Sequence, residues 1–123
     1  MRQSLPRGYQ SDSGMWHTLL DDPESYEEAS ATCGFAYGIL RGVHCGLLEE
    51  KWLGTAERAL KPVLSLISEE GVLGQVSYGT PMGRENRDFY KEIPLKPMPY
   101  GQALAILFLV EWKKLRADDE VTE

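Results

Sequence analysis

Adjacent carboxylates, a glycine-bounded Thr-Pro loop and two loop arginines are the residue groups with the most chemical potential in this 123-residue chain. Asp21 and Asp22 could be a general acid and base, but adjacent residues do not face each other as a working carboxylate pair must. Lying just ahead of a helix start, they are better placed to complement the positive end of that helix. In Gly79-Thr80-Pro81-Met82-Gly83, glycine admits close backbone approach, so its N–H groups can meet a carboxylate, although a plain turn uses the same letters. Arg84 and Arg87 have the fork geometry for a carboxylate, and they also suit an exposed loop. His17 and His44 stand apart from each other, and no His/Cys/Asp set has zinc-like spacing. We therefore expect neither a metal nor a cofactor.

The elements that must position these residues are helical. Residues 1–13 lack periodicity and read as a flexible leading arm. Ser25-Tyr26-Glu27-Glu28 fits a capping box, in which the Ser oxygen accepts from the third backbone N–H and the Glu reaches back. Ala29, Cys33, Ala36, Tyr37, Leu40, Val43 and Leu47 recur at helical spacing behind it, predicting a helix over about 26–47 that loosens at Gly46. After Glu49-Glu50, a second stripe of Trp52, Ala56, Ala59, Leu60, Val63, Leu64 and Ile67 predicts a second helix. Pro62 should kink or restart it. The short connection makes residues 26–69 an α-hairpin. Residues 70–99 form a long loop in which only Val72 to Tyr78 can supply a brief strand or hairpin arm. A third helix, about 100–116, carries the run Ala103-Leu104-Ala105-Ile106-Leu107-Phe108-Leu109-Val110. Apolar on every side, it needs cover on every side. An acidic tail, 117–123, should be solvated.

Composition narrows the function classes. A net charge of −6, from 13 Lys+Arg against 19 Asp+Glu, opposes a nucleic-acid binder, because phosphate neutralisation needs clustered Lys and Arg. No apolar run is long enough to span a membrane, and the first twelve residues lack a signal-peptide core. A cytoplasmic location is expected. Cys33 and Cys45 lie twelve residues apart on one predicted helix, about 18 Å at about 1.5 Å per residue, too far for a disulfide. Both are expected to be buried, reduced thiols.

Gly14-x-Trp16, Ser25-Tyr26-x-Glu28-x-Ser30, Gly42, Gly46 and Gly79-Thr80 before the last helix, in that order and spacing, resemble the C-terminal third of glycoside hydrolase families 88 and 105. These are the unsaturated glucuronyl and rhamnogalacturonyl hydrolases, and the resemblance spans roughly residues 13–112. It implies an all-α fold: hairpins from the C-terminal third of an (α/α)6 barrel, with a long loop carrying a short β hairpin. It also implies, for the complete enzyme, hydration of the ring double bond of an unsaturated uronyl disaccharide by an aspartate acting as acid and base. In the family that aspartate lies upstream, in sequence this chain does not contain, so no catalytic residue is expected here and the chain alone should be inactive. The resemblance makes Trp16, His17, Glu28, Gly79 and Thr80 the candidate substrate-binding residues, with the Trp16 indole stacking on a pyranose. Core packing for Trp16, a surface place for His17 and helix capping for Glu28 explain the same residues. Tyr90 and Tyr100 can edge a sugar site or pack a loop on a helix. An alternative is a stand-alone helical module derived from such a barrel. In either case the uncovered third helix favours a homo-oligomer if the chain is isolated.

Overall fold

A computed structural model of the chain describes residues 9–78 and 87–122, with side chains to Ala117. Among the described residues there are three α-helices: α1 (Ala29–His44), α2 (Leu53–Ser65) and α3 (Pro99–Thr122). Short 3-10 turns occupy Glu50–Trp52 and Arg87–Glu92. Helix α1 lies at the centre and packs on both α2 and α3. The fold is the expected all-α one. The expected short hairpin is reduced, among the described residues, to isolated antiparallel bridges, Ile67 with Leu73 and Ser77 with Leu95.

Helix α1 starts later than predicted. His17 bridges Glu27, Thr18 N–H donates to the Tyr26 carbonyl at 2.8 Å, and Glu28 N–H donates to the Trp16 carbonyl at 2.9 Å. This pairing holds residues 26–28 extended, so Glu28, not Ser25, is the N-cap, and its carboxylate accepts from Ala31 N–H at 2.6 Å. Ser25 is used elsewhere: its hydroxyl donates to the Asp22 carbonyl at 2.7 Å and tightens the 19–25 loop. At the other end α1 stops at His44, short of the expected 47. Gly46 is left-handed at φ +78°, with Leu47 N–H on the Gly42 carbonyl at 2.8 Å and Gly46 N–H on the Val43 carbonyl at 3.1 Å. That double closure is the Schellman arrangement.

Helix α2 contains Pro62 without a break and ends three residues beyond it. Its buried face is Thr55, Ala56, Ala59 and Val63. Small residues there let the 10–16 segment lie directly on the helix. Gly14, at φ +99°, leaves room for an added Cβ only 2.0 Å from the Arg58 carbonyl oxygen, so only glycine fits. The described part of the leading arm is pinned rather than frayed. The Gln10 side-chain amide donates to the carbonyls of Gly14 and Thr55, each at 2.9 Å.

The core gathers Trp16, Leu40, Val63, Leu73, Val76 and Phe108, all essentially inaccessible, each aliphatic or phenyl group contributing about 2 kcal/mol. Helix α3 starts at Pro99, where a missing N–H is harmless, and runs on past the predicted 116. It turns Gly101, Ala105, Phe108 and Glu111 inward, and Glu111 lies 3.6 Å from the Arg41 guanidinium on α1. Its outer side leaves Ile106 54%, Val110 46% and Leu107 43% exposed. The predicted need for cover is therefore met on one side of the helix. Cys33 is buried as expected and Cys45 is not: it caps the exposed end of α1. No described helix is long and apolar enough to cross a membrane.

Candidate functional site

The polar groups that converge in this fold do so at the start of α1. A cleft of about 560 Å³ opens there, bounded by Glu28, Ser30 and Phe35 of the α1 region, Ser77 of the long loop, and Tyr100 and Leu104 of α3. Glu28 organises it. The carboxylate is 4% exposed and accepts from Ala31 N–H at 2.6 Å and Ser77 N–H at 2.8 Å. The Ser30 hydroxyl lies 2.9 and 2.8 Å from its two oxygens. These donors, together with the positive end of α1, satisfy the charge without a cation. Glu28 is thus a buried crosslink between α1 and the loop. Its lone pairs are committed, and it is not poised as a general base.

Ser77 is the second node. Its hydroxyl lies 2.7 Å from the Tyr26 hydroxyl, and its carbonyl accepts from the Tyr100 hydroxyl. Gln75 completes the join from a left-handed backbone, φ +62°. Its carbonyl accepts Ala29 N–H at 2.8 Å, and its side-chain amide donates to the Glu27 carbonyl at 3.0 Å. A non-glycine residue persists in that conformation only where its surroundings over-determine it. The cleft is therefore one wall of hydroxyls and one of Phe35, Ala31, Gly34 and Leu104. Such a surface can bind and orient a ring that is apolar on its faces and hydroxylated at its edge.

The candidate residues separate in space. Trp16 is fully buried and meets Phe35 edge-on at 5.2 Å, so it backs the cleft wall instead of offering a face for stacking. His17 points the other way. Its Nδ1 donates to the Ser25 carbonyl at 2.6 Å, in a separate hollow lined also by Tyr9, Asp21 and Pro23. Thr32 joins the two halves, accepting Trp16 N–H at 3.0 Å and donating to the Glu28 carbonyl at 2.9 Å. Gly79 and Thr80, like Arg84, lie outside the described residues. They follow Ser77 and Tyr78 directly in the chain.

Asp21 and Asp22 do not cap α1, whose first turn starts seven residues later. Asp21 pairs with Arg87, and Asp22 with Lys91 at 2.8 Å. The hydrogen bond from Arg87 holds the Asp21 carboxyl below its usual value, and that from Lys91 does the same for Asp22. Lys91 also reaches Asp88 at 3.2 Å. Arg87 is thereby occupied by an internal carboxylate. Among the described residues no cluster of three or more His, Cys, Asp or Glu could hold a metal ion. Ser77, Gln75 and Phe35 were not foreseen. The partner of Ser77 lies 49 residues away in sequence, and no local pattern encodes that.

Helix α1 packed between α2 and α3, with a cleft at its start, is helical-hairpin architecture of the kind that builds α/α barrels. The sequence model of Glycosyl Hydrolase Family 88 matches residues 3–116, and the chain belongs to that family. It is 37% identical over 108 residues to the unsaturated rhamnogalacturonyl hydrolase YesR of Bacillus subtilis (strain 168), covering 87% of this chain and 29% of that protein. A possible member of the GH105 family from Klebsiella pneumoniae has a solved structure that is 53% identical with a TM-score of 0.85, over 89% of this chain and 29% of that one. The family 105 hydrolase of C. acetobutylicum is 25% identical with a TM-score of 0.78, over 90% and 35%. The chain thus spans about 29% of the length of the curated relative it matches and is a partial segment of such an enzyme.

Proposed function

We propose that this chain supplies part of the sugar cleft of an enzyme that hydrates the ring double bond of unsaturated uronyl disaccharides, glucuronyl or rhamnogalacturonyl. The carrying observation is the cleft built on Glu28, Ser30, Ser77 and Tyr100, whose polar groups are hydrogen-bonded to one another or to the backbone before a ligand arrives. The activity named for the Bacillus subtilis relative supports the uronyl class. Gly79 and Thr80 follow Tyr78 in the chain and belong to the proposed binding surface on the strength of the family resemblance. His17, which faces its own hollow, is not part of this cleft. The committed Glu28 leaves hydration to an aspartate supplied from outside these residues, and the chain by itself is inactive. A cytoplasmic setting belongs to the same reading, as does an inert, buried Cys33.

The exposed side of α3 favours self-association of the isolated chain, because Ile106, Leu107 and Val110 together form an apolar face that water covers poorly. The same face supports a second reading, a helical module that works through association and has no part in catalysis. Light scattering combined with an assay for loss of the unsaturated uronyl absorbance separates the two. An inactive oligomer that gains hydrolase activity when mixed with a segment bearing the missing barrel hairpins supports the enzyme reading. An oligomer that gains none supports the module. Turnover by the chain alone would overturn the assignment of catalysis to outside residues, and a compact monomer would overturn self-association.

A further inference from the structure

A second concavity lies beyond Ser77, formed by Tyr78, Phe89, Glu92, Ile93 and Pro94, with a volume of about 330 Å³. That is within the range of small-ligand sites. Two of its rings are turned to solvent, Tyr78 by 52% and Phe89 by 38%. The pocket is held from both sides. Tyr78 N–H donates to the Pro94 carbonyl at 2.9 Å, and Lys96 N–H to the Val76 carbonyl at 2.7 Å, which fixes the Tyr78 wall. Residues 87–92 bury nothing, yet Arg87 and Lys91 tie them to Asp21 and Asp22, which fixes the Phe89 wall.

We propose that this pocket is a sugar subsite for an uncharged pyranose ring, distinct from the cleft at the start of α1. The C–H face of a pyranose carries slight positive potential and suits the negative face of an aromatic ring. Ile93 and Pro94 give an apolar floor. Glu92 supplies an acceptor for ring hydroxyls, and among the described residues nothing is hydrogen-bonded or ion-paired to it. That carboxylate also sets the charge preference, because a uronate there would face a like charge. Lys96 is directed onto the Tyr78 ring, 4.6 Å from its centre. The choice of a carbohydrate rests on the reading of the α1 cleft; the preference for an uncharged one rests on Glu92.

Amide-resolved NMR titration of the whole chain with methyl β-D-glucopyranoside, and separately with sodium glucuronate, tests this. The expected result is saturable shifts at Tyr78, Phe89, Glu92 and Ile93 with the neutral sugar, and about tenfold weaker binding of the uronate. Phe89→Ala should weaken the neutral sugar by about fivefold or more. Glu92→Gln should bring the two sugars to within about threefold of each other. Both positions are exposed, and a preserved spectrum elsewhere verifies folding. Equal binding of the two sugars by the unaltered chain overturns the proposal, as does an unaltered response in Phe89→Ala. Shifts confined to Ser30, Ala31 and Gly34 overturn it while supporting the α1 cleft. Shifts at Phe89 and Ile93 alone support it and count against the cleft, and shifts at neither place overturn both.

Discussion

The long loop is fastened to the rest of the protein by carboxylates at two places, and the two fastenings work differently. Glu28 grips residues 75–78 from a buried position, with neutral N–H and O–H donors around it and the end of α1 behind it. Asp21 and Asp22 grip residues 87–91 from the surface, through an exposed arginine and a partly covered lysine. The buried anchor works because removing it strands several donors that have no access to solvent. The surface anchor leaves nothing stranded, since water and salt replace each partner. One fastening should therefore be part of the global fold, and the other a local latch.

Removing the buried anchor is the largest effect we expect. Glu28→Ala deletes the N-cap of α1 and unpairs the Ala31 and Ser77 N–H groups, at a cost of about 3 kcal/mol, or about 10 °C in melting temperature for a chain of this size. Glu28→Gln keeps the acceptor oxygen and should recover about half of that. Thermal melts of the three proteins check the order. Equal, negligible losses would mean that Glu28 is not the anchor its geometry describes.

How much of this was legible in the sequence follows the same division. Helical periodicity located all three helices, because it records one-sided burial, and Gly46 marked the end of α1 by its backbone need. The helix start was misread because Ser25 and Glu28 fit a local capping rule, while a non-local pairing of residues 16–18 with 26–28 overrode it. Glu28 is a site candidate in the sequence with capping as its rival role, and capping is the role its hydrogen bonds show. The pairing of Asp21 and Asp22 with Arg87 and Lys91 spans more than 60 residues, so nothing local announced it. For Trp16 the sequence leaves stacking and core packing both open, because an aromatic residue in a loop has no periodic neighbours to say which way it faces; the structure buries it.

The two cysteines offer a readout of the buried anchor without unfolding the protein. Burial, and then the nearby Glu28 charge, push the Cys33 thiol up to about 12. Thiolate is the reactive form, so Cys33 should react only when α1 opens, while exposed Cys45 reacts at once. With a thiol reagent at neutral pH, one group per chain should therefore label quickly. Glu28→Ala should speed the second by about a hundredfold, the effect of about 3 kcal/mol on an opening equilibrium. Asp21→Asn with Asp22→Asn should leave it slow. Rapid labelling of both thiols in the unaltered chain would break the contrast between the anchors.

The surface latch gives the smallest effect and the sharpest dependence on conditions. Asp21 and Asp22 are held below the ordinary aspartate value, about 3.9. A carboxyl with a lowered folded-state value stabilises the latched form fully above its unfolded value and loses that contribution as pH falls through the lowered one. The partners run the opposite way: the hydrogen bonds raise Lys91 and Arg87, so their contribution would fade only at strongly alkaline pH. The latch should thus be closed across the neutral range and start to loosen as pH falls below about 4. Salt should loosen it at neutral pH, because the Arg87 pair is exposed and the Lys91 pair is only partly covered from bulk ions. Hydrogen exchange of the amides of residues 87–93 reads this directly. Protection there should fall with added salt, with acid and in Asp21→Asn with Asp22→Asn, while the amides of α1 and the melting temperature stay where they were. Loss of protection in α1 along with the latch would show that the two fastenings form one cooperative unit, and that exposed charge contributes to the core of this fold as Glu28 does.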